Sequence, residues 1–379
     1  MYVKFIGSGA AGNKALISAI ESDVVTKKDC LLLNTTERDV NPRFRDIFIR
    51  VGDSLKGCGK ERTLAKNILL NTLKSGASGI EDFCKDGDPD MIVLVTSTSG
   101  GSGSGITTLL AKYIKEVIGV NVHVFGFTGF EADGRELQNT IEFFQDIEDS
   151  FGVEAISNKK FLTDGNIIKA EAAANEEFCR RMNILQGSSI RDSIQNIDDT
   201  DLFKLATTVG FMNIEHIPLP KIKNAQIFNG TIVAAMDESK SLETSKGCHR
   251  LGVIINCKDE NALQFIDTNL TNLRERWGIP YESFLHIQHE GDCEDYVDVI
   301  IAGMKLPTEE LKEAYERYKT MSSSVNKEED DFFNTVGSFR GDSKDAMFNL
   351  RQKSKQVEKK SFFTSLENKS TKDDDTTNY

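Results

Sequence analysis

Short apolar runs and amphipathic stretches of helical length alternate through the first half of the chain. "YVKFIG" leads into a helix from about Asn13, and "CLLLNT" and "DIFIRVG" follow. Next come a helix containing "TLAKNILLNTLKSG", the run "MIVLVT", a helix "TTLLAKYIKEVIG" and the run "VHVFGFT". Apolar runs of strand length separated by helical crossovers imply βαβ units and a mainly parallel sheet. The expected fold class is therefore α/β, a Rossmann-like doubly wound parallel sheet in which ligands sit at the carboxyl ends of the strands.

From about Asp164 the pattern becomes one long helical stretch, "GNIIKAEAAANEEFCRRMNILQ", rich in alanine and long side chains that favour helix. A second unit follows with "QIFNGTIVAAM", "RLGVIINC", a helix "ENALQFIDTNLTNLRERWG" and two strand candidates expected to pair, "ESFLHIQHE" and "YVDVIIAGM". After Pro307 come a charged helix, "TEELKEAYERYKTM", and a polar tail of disorder-prone composition. The chain divides accordingly into residues 1–163, a connecting helix at 164–188, a second smaller α/β domain at 189–306, a C-terminal helical extension at 307–350 and a basic, polar, disordered tail at 351–379.

At 379 residues and 39% apolar content the chain can build a sizeable core. No apolar run approaches the roughly 20 residues that span a bilayer, and "MYVKFIGSG" lacks a signal-peptide profile, so no membrane partner is expected and the expected location is the cytoplasm. Seven scattered cysteines without Cys-x-x-Cys spacing argue against a disulfide framework or a structural zinc site. A net charge of -13 opposes direct nucleic-acid binding by the acidic body. The segment from Lys344 to Lys372 differs, with basic residues outnumbering acidic ones.

Two glycine-rich loops each follow a strand and precede a helix: "GSGAAGN", Gly7 to Asn13, and "SGGSGSG", Ser99 to Gly105. Glycine admits close approach to the backbone, and exposed amides at a helix N-terminus attract phosphate. The first loop alone matches the dinucleotide pattern Gly-x-Gly-x-x-Gly, which keeps an NAD(P)- or FAD-dependent oxidoreductase as an alternative. That reading wants an acid after the second strand, where this chain has Asn34, with Glu37 beyond it. Neither loop is a Walker-type P-loop, since no lysine follows the glycines. A flexible turn needs fewer Gly and Ser residues than the second loop holds.

With these loops in order, the chain resembles the tubulin and FtsZ family of GTPases, most of all its phage and plasmid branch, TubZ and PhuZ. "SGGSGSG" resembles the signature loop, comprising Ser99, Gly100, Gly101, Ser102, Gly103, Ser104 and Gly105, with Ser102 and Ser104 at the hydroxyl positions. "GSGAAGN" resembles the first phosphate loop, with Gly7, Gly9, Ala10 and Ala11 at the phosphates and Asn13 at the base. "GCGK", with Gly57, Cys58, Gly59 and Lys60, resembles the loop that senses the γ-phosphate, and "GFEADGR" the ribose loop, with Glu131 and Arg135. "SNKKF" and "AANEEF" place Asn158 and Asn175 at positions that read the guanine edge.

The resemblance implies GTP and GDP as ligands, with Mg²⁺ held mostly by phosphate and water, and residues 1–163 as the GTP-binding domain. "GFMNIEHIP", residues 210–218, resembles the loop Gly-x-x-Asn-x-Asp-x-x-Asp that one subunit inserts into its neighbour's nucleotide site, which implies Asn213 and Glu215 as catalytic. Three departures stand out. Glu171 replaces an aromatic that stacks on the base, leaving that role to a residue such as Phe161. Thr36 replaces an aspartate near the phosphate. Pro218 takes the place of the acid that polarises the attacking water.

Other candidates have plainer explanations. His286 and His289, three apart in a strand, face opposite sides and do not clasp a metal with Cys293. Cys58 fits as a small residue in a tight loop, and Asp90 and Asp133 as cap and loop acids. The basic run from Arg351 to Lys360, with Phe332, Phe333, Phe339, Phe348, Phe362 and Phe363 around it, suggests a docking tail. By resemblance, its partner is a DNA-bound adaptor protein or the next subunit. The function expected is a GTP-dependent, head-to-tail filament-forming GTPase that positions plasmid or phage DNA in a bacterial host cytoplasm, the alternative within the family being a slowly or non-hydrolysing filament scaffold.

Overall fold

In the computed structural model the chain alternates strand and helix from its start. Strand β1 (Val3–Ser8) runs into α1 (Gly9–Glu21), then β2 (Cys30–Asn34), β3 (Phe48–Arg50), α2 (Arg62–Lys74), α3 (Ile80–Lys85), β4 (Met91–Ser97), α4 (Ser102–Tyr113), β5 (Asn121–Thr128), α5 (Gly134–Ile147) and β6 (Gly152–Ser157). The long helix α6 (Ile167–Leu185) follows, then α7 (Asp199–Thr207), β7 (Gly210–Pro218), α8 (Ala225–Asp237), β8 (Arg250–Asn256), α9 (Thr271–Trp277), β9 (Glu282–Gln288), β10 (Tyr296–Met304) and α10 (Thr308–Ser323). The structure describes residues 1–323 except 39, 53–56, 77–78, 131–132, 148–149, 189, 191–196, 222, 243–246 and 290–293. The basic run and the phenylalanines of the tail lie outside the described residues. Met1–Met321 forms one compact unit.

Among the described residues, ten strands form one sheet in the order β3-β2-β1-β4-β5-β6-β7-β10-β8-β9. The pairs from β3 through β7 are all parallel, and β10 alone runs antiparallel to both its neighbours. Strands β1, β4, β5 and β6 are buried almost throughout, because helices cover both faces. That is why their sequences read as unbroken apolar runs.

Helix α6 packs with α1 on one face of the sheet, where the Phe178 ring meets Phe125 of β5 at 4.9 Å edge to face. A buried aromatic of this kind costs about 3–5 kcal/mol when cut back to alanine. Its 19 residues rise about 1.5 Å each, so α6 spans the full depth of the sheet. It begins near the carboxyl ends and finishes at the amino ends, where Gln186 Nε2 donates to Val24 O at 3.4 Å.

Three expectations need correction. "DIFIRVG" yields a strand only at Phe48–Arg50, because Pro42–Ile47 takes up 3₁₀ turns with the Asn41 side chain capping Arg43 N at 3.1 Å. The segments "ESFLHIQHE" and "YVDVIIAGM" do not pair with each other: β8 lies between them, parallel to β9 and antiparallel to β10. Most consequential, residues 210–218 are no loop but strand β7, parallel to β6 and antiparallel to β10, with Pro218 opposite Tyr296.

Candidate functional site

The carboxyl ends of β1, β2, β4, β5 and β6 converge on a cradle built by the two glycine-rich loops. Helix α1 starts at Gly9 and α4 at Ser102, and neither N-terminus is capped by a side chain. Each leaves backbone amides unpaired, and the two helix dipoles place partial positive charge at one spot. The loops interlock. A Cβ on Gly9, whose φ is +72°, would lie 2.8 Å from the backbone of Gly103, and a Cβ on Gly103 would lie 2.6 Å from Ser8 O. Glycine is thus required for the loops to touch as well as for a ligand to approach.

Three buried polar atoms around this cradle have no partner: Ser8 Oγ, Asn13 Oδ1 and Asn158 Oδ1. A buried polar group left unpaired costs about 1–3 kcal/mol, so such a cluster marks where a polar ligand belongs. Asn13 keeps its orientation by donating from Nδ2 to Leu33 O at 3.3 Å. Asn175 is half-buried one turn along α6 from Glu171, which pairs with Lys14 at 3.3 Å. Phe161 packs partly against the core, with the Lys240 ammonium 5.8 Å from its ring.

The signature loop is held by its own hydroxyls. Ser97 and Ser99 share a hydrogen bond at 3.0 Å, and Ser102 Oγ meets Thr35 Oγ1 at 2.8 Å. Ser104 departs from its expected role. It is fully buried, donates to Gly100 O and accepts from Arg62 Nε at 3.1 Å, so its hydroxyl braces the loop instead of facing a phosphate. Gly100 has open space around its Cα, and Gly101 sits at the start of α4.

Residues Gly57 to Lys60 form a tight turn closed by Glu61 N donating to Cys58 O at 2.9 Å, with Cys58 buried. The Lys60 ammonium lies 2.7 Å from Asp133 and 3.1 Å from Glu136, and these carboxylates, Asp133 first, hold it above the usual lysine range. Asp133 is held correspondingly low by Lys60. Arg135 donates to Gln138 at 3.2 Å, while Glu131 lies outside the described residues. Ala10 and Ala11 line the first turn of α1, and Gly7 ends the buried run of β1.

Asn213 and Glu215 are elsewhere. Both are buried in β7, where they belong to a network around Arg181 of α6. That guanidinium donates to Glu154 at 2.5 Å, Glu177 at 2.6 Å, Glu215 at 3.0 Å, Asn213 at 3.3 Å and Ser241 Oγ at 2.6 Å. Burial, together with the nearby Glu177 and Glu215 carboxylates, raises the Glu154 pKa to about 7 against the pull of Arg181. Because β7 runs parallel to β6, Pro218 points toward the carboxyl ends, the same end as the cradle. Asn213 and Glu215 thus help tie the central helix to the sheet.

The Asn-x-Asp-x-x-Asp spacing occurs a second time in the chain. Ser193 to Asp201 reads Ser-Ile-Gln-Asn-Ile-Asp-Asp-Thr-Asp, which supplies Asn196, Asp198 and Asp201 at the Asn-x-Asp-x-x-Asp spacing, directly after the long helix. Residues 191–196 lie outside the described residues, but Asp198 caps α7 in a reciprocal box with Asp201: Asp201 N donates to Asp198 Oδ1 at 2.9 Å and Asp198 N to Asp201 Oδ2 at 3.4 Å. The neighbouring Asp199 carboxylate pairs with the Met1 ammonium, immediately before β1 begins, so this helix start sits at the amino ends of the strands. The leading glycine of the pattern, present at Gly210, is replaced here by Ser193.

His286 is buried between Gln288 and the backbone of Ile197, and His289 meets Cys257 O. Among the described residues no group of three or more His, Cys, Asp or Glu side chains could hold a metal. No described helix is long and apolar enough to cross a membrane.

No family model matches the chain. It is 28% identical over 183 residues to the tubulin-like protein TubZ of Clostridium botulinum C phage, across 47% of this chain and 50% of that protein. It is 24% identical over 164 residues to the cell division protein FtsZ of Mycoplasmopsis pulmonis (strain UAB CTIP), across 42% of this chain and 40% of that one. The matches thus span half or less of these curated relatives. In structure it superposes on a GTPγS-form protofilament of TubZ from Bacillus thuringiensis serovar israelensis with a TM-score of 0.68 at 16% identity, covering 86% of this chain and 92% of that one.

Proposed function

We propose that this chain, which belongs to the tubulin and FtsZ superfamily, is a GTPase that assembles head to tail into filaments. The observation that carries this reading is the placement of two features at opposite ends of one sheet. The cradle with its unpartnered Ser8, Asn13 and Asn158 atoms lies at the carboxyl ends. The acid-bearing start of α7 lies at the amino ends. Neither end is complete alone. Stacking identical copies brings the acids of one onto the cradle of the next, a heterologous contact that does not close on itself and so propagates.

The exposed apolar side chains fit the same arrangement. Leu64, Ile167 and Ile168 are 43%, 50% and 80% exposed and lie where chain leaves the cradle. Val209, Ile279 and Tyr281 are 45%, 83% and 82% exposed and precede the amino ends of β7 and β9.

In the mechanism we propose, unpaired amides at the α1 and α4 starts take the phosphates, and Asn13, Asn158 and Asn175 offer the paired donor and acceptor that the guanine edge requires. Asp201 of the adjoining subunit orients water for in-line attack on the terminal phosphate, with Asp198 fixing its geometry through the capping box. Mg²⁺ would be held mostly by phosphate and water and would supply neutralisation of the charge on the phosphates. An acid at Asp201 favours hydrolysis over a non-hydrolysing scaffold, and two interlocked loops exceed what an oxidoreductase using the first loop alone would need. We further assign the work to positioning plasmid or phage DNA in a host cytoplasm. The basic tail around Arg351 to Lys360 would bind an adaptor protein, since the acidic body repels nucleic acid.

Light scattering and phosphate release after adding GTP, GDP or a non-hydrolysable GTP analogue test this directly. Scattering with GTP and with the analogue, and phosphate release with GTP alone, are expected. No GTP-dependent scattering would sink the filament reading, and scattering without phosphate release would favour the scaffold.

A further inference from the structure

Helix α5 carries a polar stripe that no motif singled out. Glu136, Asn139, Glu142 and Asp146 are spaced three, three and four residues apart, which sets them on one face of the helix. All four grip the stretch from Lys60, the last residue of the Gly57 to Lys60 turn, to Lys66 in α2. Glu136 holds the Lys60 ammonium at 3.1 Å, Glu142 meets Arg62 at 3.0 Å, and Asp146 meets Arg62 at 2.5 Å and Lys66 at 2.7 Å.

Asn139 does something different. It is 2% exposed, and its Nδ2 donates both to Lys60 O at 3.0 Å and to Ser99 O at 3.0 Å. One carboxamide therefore spans the turn at 57–60 and the signature loop at 99–105. Direct contact reinforces the bridge, since a Cβ on Gly101 would lie 2.4 Å from the Lys60 carbonyl carbon. Lys60 also has φ of +68°, a left-handed conformation unusual for a residue with a side chain, which persists only where surroundings impose it.

We infer that Asn139 is a positioning residue: its carboxamide sets the gap between the two loops and thereby the preference for a nucleoside triphosphate over a diphosphate. The inference rests on the nucleotide reading of the cradle. Its physical basis is reach. The 99–105 loop starts a helix and can hold phosphates shared by both nucleotides, whereas the 57–60 turn is a separate wall that discriminates only if its distance is fixed. Loss of the amide removes the donor that Lys60 O and Ser99 O share and lets the turn withdraw.

The test compares binding of GTPγS and GDP to the full chain by calorimetry, for the wild type, Asn139→Ala and Asn139→Gln, with thermal melting of each protein without nucleotide. Asn139→Gln keeps the donor but moves it by one methylene, so it reports on spacing if the alanine variant fails to fold. Expected is a loss of GTPγS affinity of about tenfold or more against less than about threefold for GDP, with a smaller split for glutamine. Equal losses for the two nucleotides, or a lowered melting temperature with unchanged affinities, would overturn the inference and leave Asn139 a structural residue. A wild type that binds neither nucleotide would instead overturn the nucleotide reading, and this inference with it.

Discussion

Two buried polar regions of this molecule are built to opposite specifications. Around Arg181, each described polar partner is engaged: three carboxylates, an amide and a hydroxyl converge on one guanidinium, leaving only Glu154 Oε2 unpaired. At the carboxyl ends of the strands the reverse holds, with unpartnered atoms on Ser8, Asn13 and Asn158 and two uncapped helix starts. A region satisfied by the chain itself serves the fold. One left unsatisfied awaits something the chain does not supply.

The sharpest way to break this contrast is to remove the centre of the satisfied region. Arg181→Met leaves buried carboxylates without their counter-ion and should cost about 3–5 kcal/mol in urea unfolding. A near-neutral result would mean that the network is dispensable and the comparison false.

The network should also show in the pH dependence of stability. Glu154 holds its proton up to about pH 7 in the folded protein against an ordinary value of 4.5. Its stabilising contribution is therefore full below about 4.5 and is lost as pH rises through about 7, since the unfolded chain releases the proton first. That loss is about 3 kcal/mol at 1.36 kcal/mol per pKa unit. Glu154→Gln should flatten this part of the curve, and an unchanged slope would point to another group.

Two serines give the smallest but cleanest contrast. Ser8→Ala removes an unpartnered hydroxyl, so stability without ligand should hold or rise while nucleotide affinity falls by about 1 kcal/mol. Ser104→Ala removes a hydroxyl already bonded to Gly100 and Arg62, so stability should fall by about 1 kcal/mol with affinity unchanged. Calorimetry and melting on both proteins check the crossing, and parallel behaviour would erase it.

Much of this was legible in the sequence because the physics is local. The apolar runs of β1, β4 and β5 and the alanine-rich α6 announce themselves by periodicity, and "GSGAAGN" and "SGGSGSG" by glycine content. What failed needed tertiary information. "GFMNIEHIP" carries alternating apolar residues that serve a strand as well as a loop, and only pairing with β6 and β10 shows which. The letter at Glu215 does not reveal that an arginine 34 residues earlier in the chain pairs with it in the fold. Asn196, Asp198 and Asp201 kept the spacing but lacked the leading glycine, and a capping-box signature at Asp198 was the signal available. The inward turn of Ser104 and the two hydrogen bonds of Asn139 follow from contacts between elements distant in sequence.

Phosphate release from GTP by Glu215→Ala and Asp201→Ala, compared with the wild type, separates the two regions in a single assay. Asp201→Ala should still bind nucleotide but release phosphate at least about a hundredfold more slowly, as expected when a positioned acid is lost. Glu215→Ala, though less stable, should release phosphate at close to the wild-type rate per folded molecule. The opposite outcome, with Glu215 essential and Asp201 dispensable, would contradict the separation of the two regions.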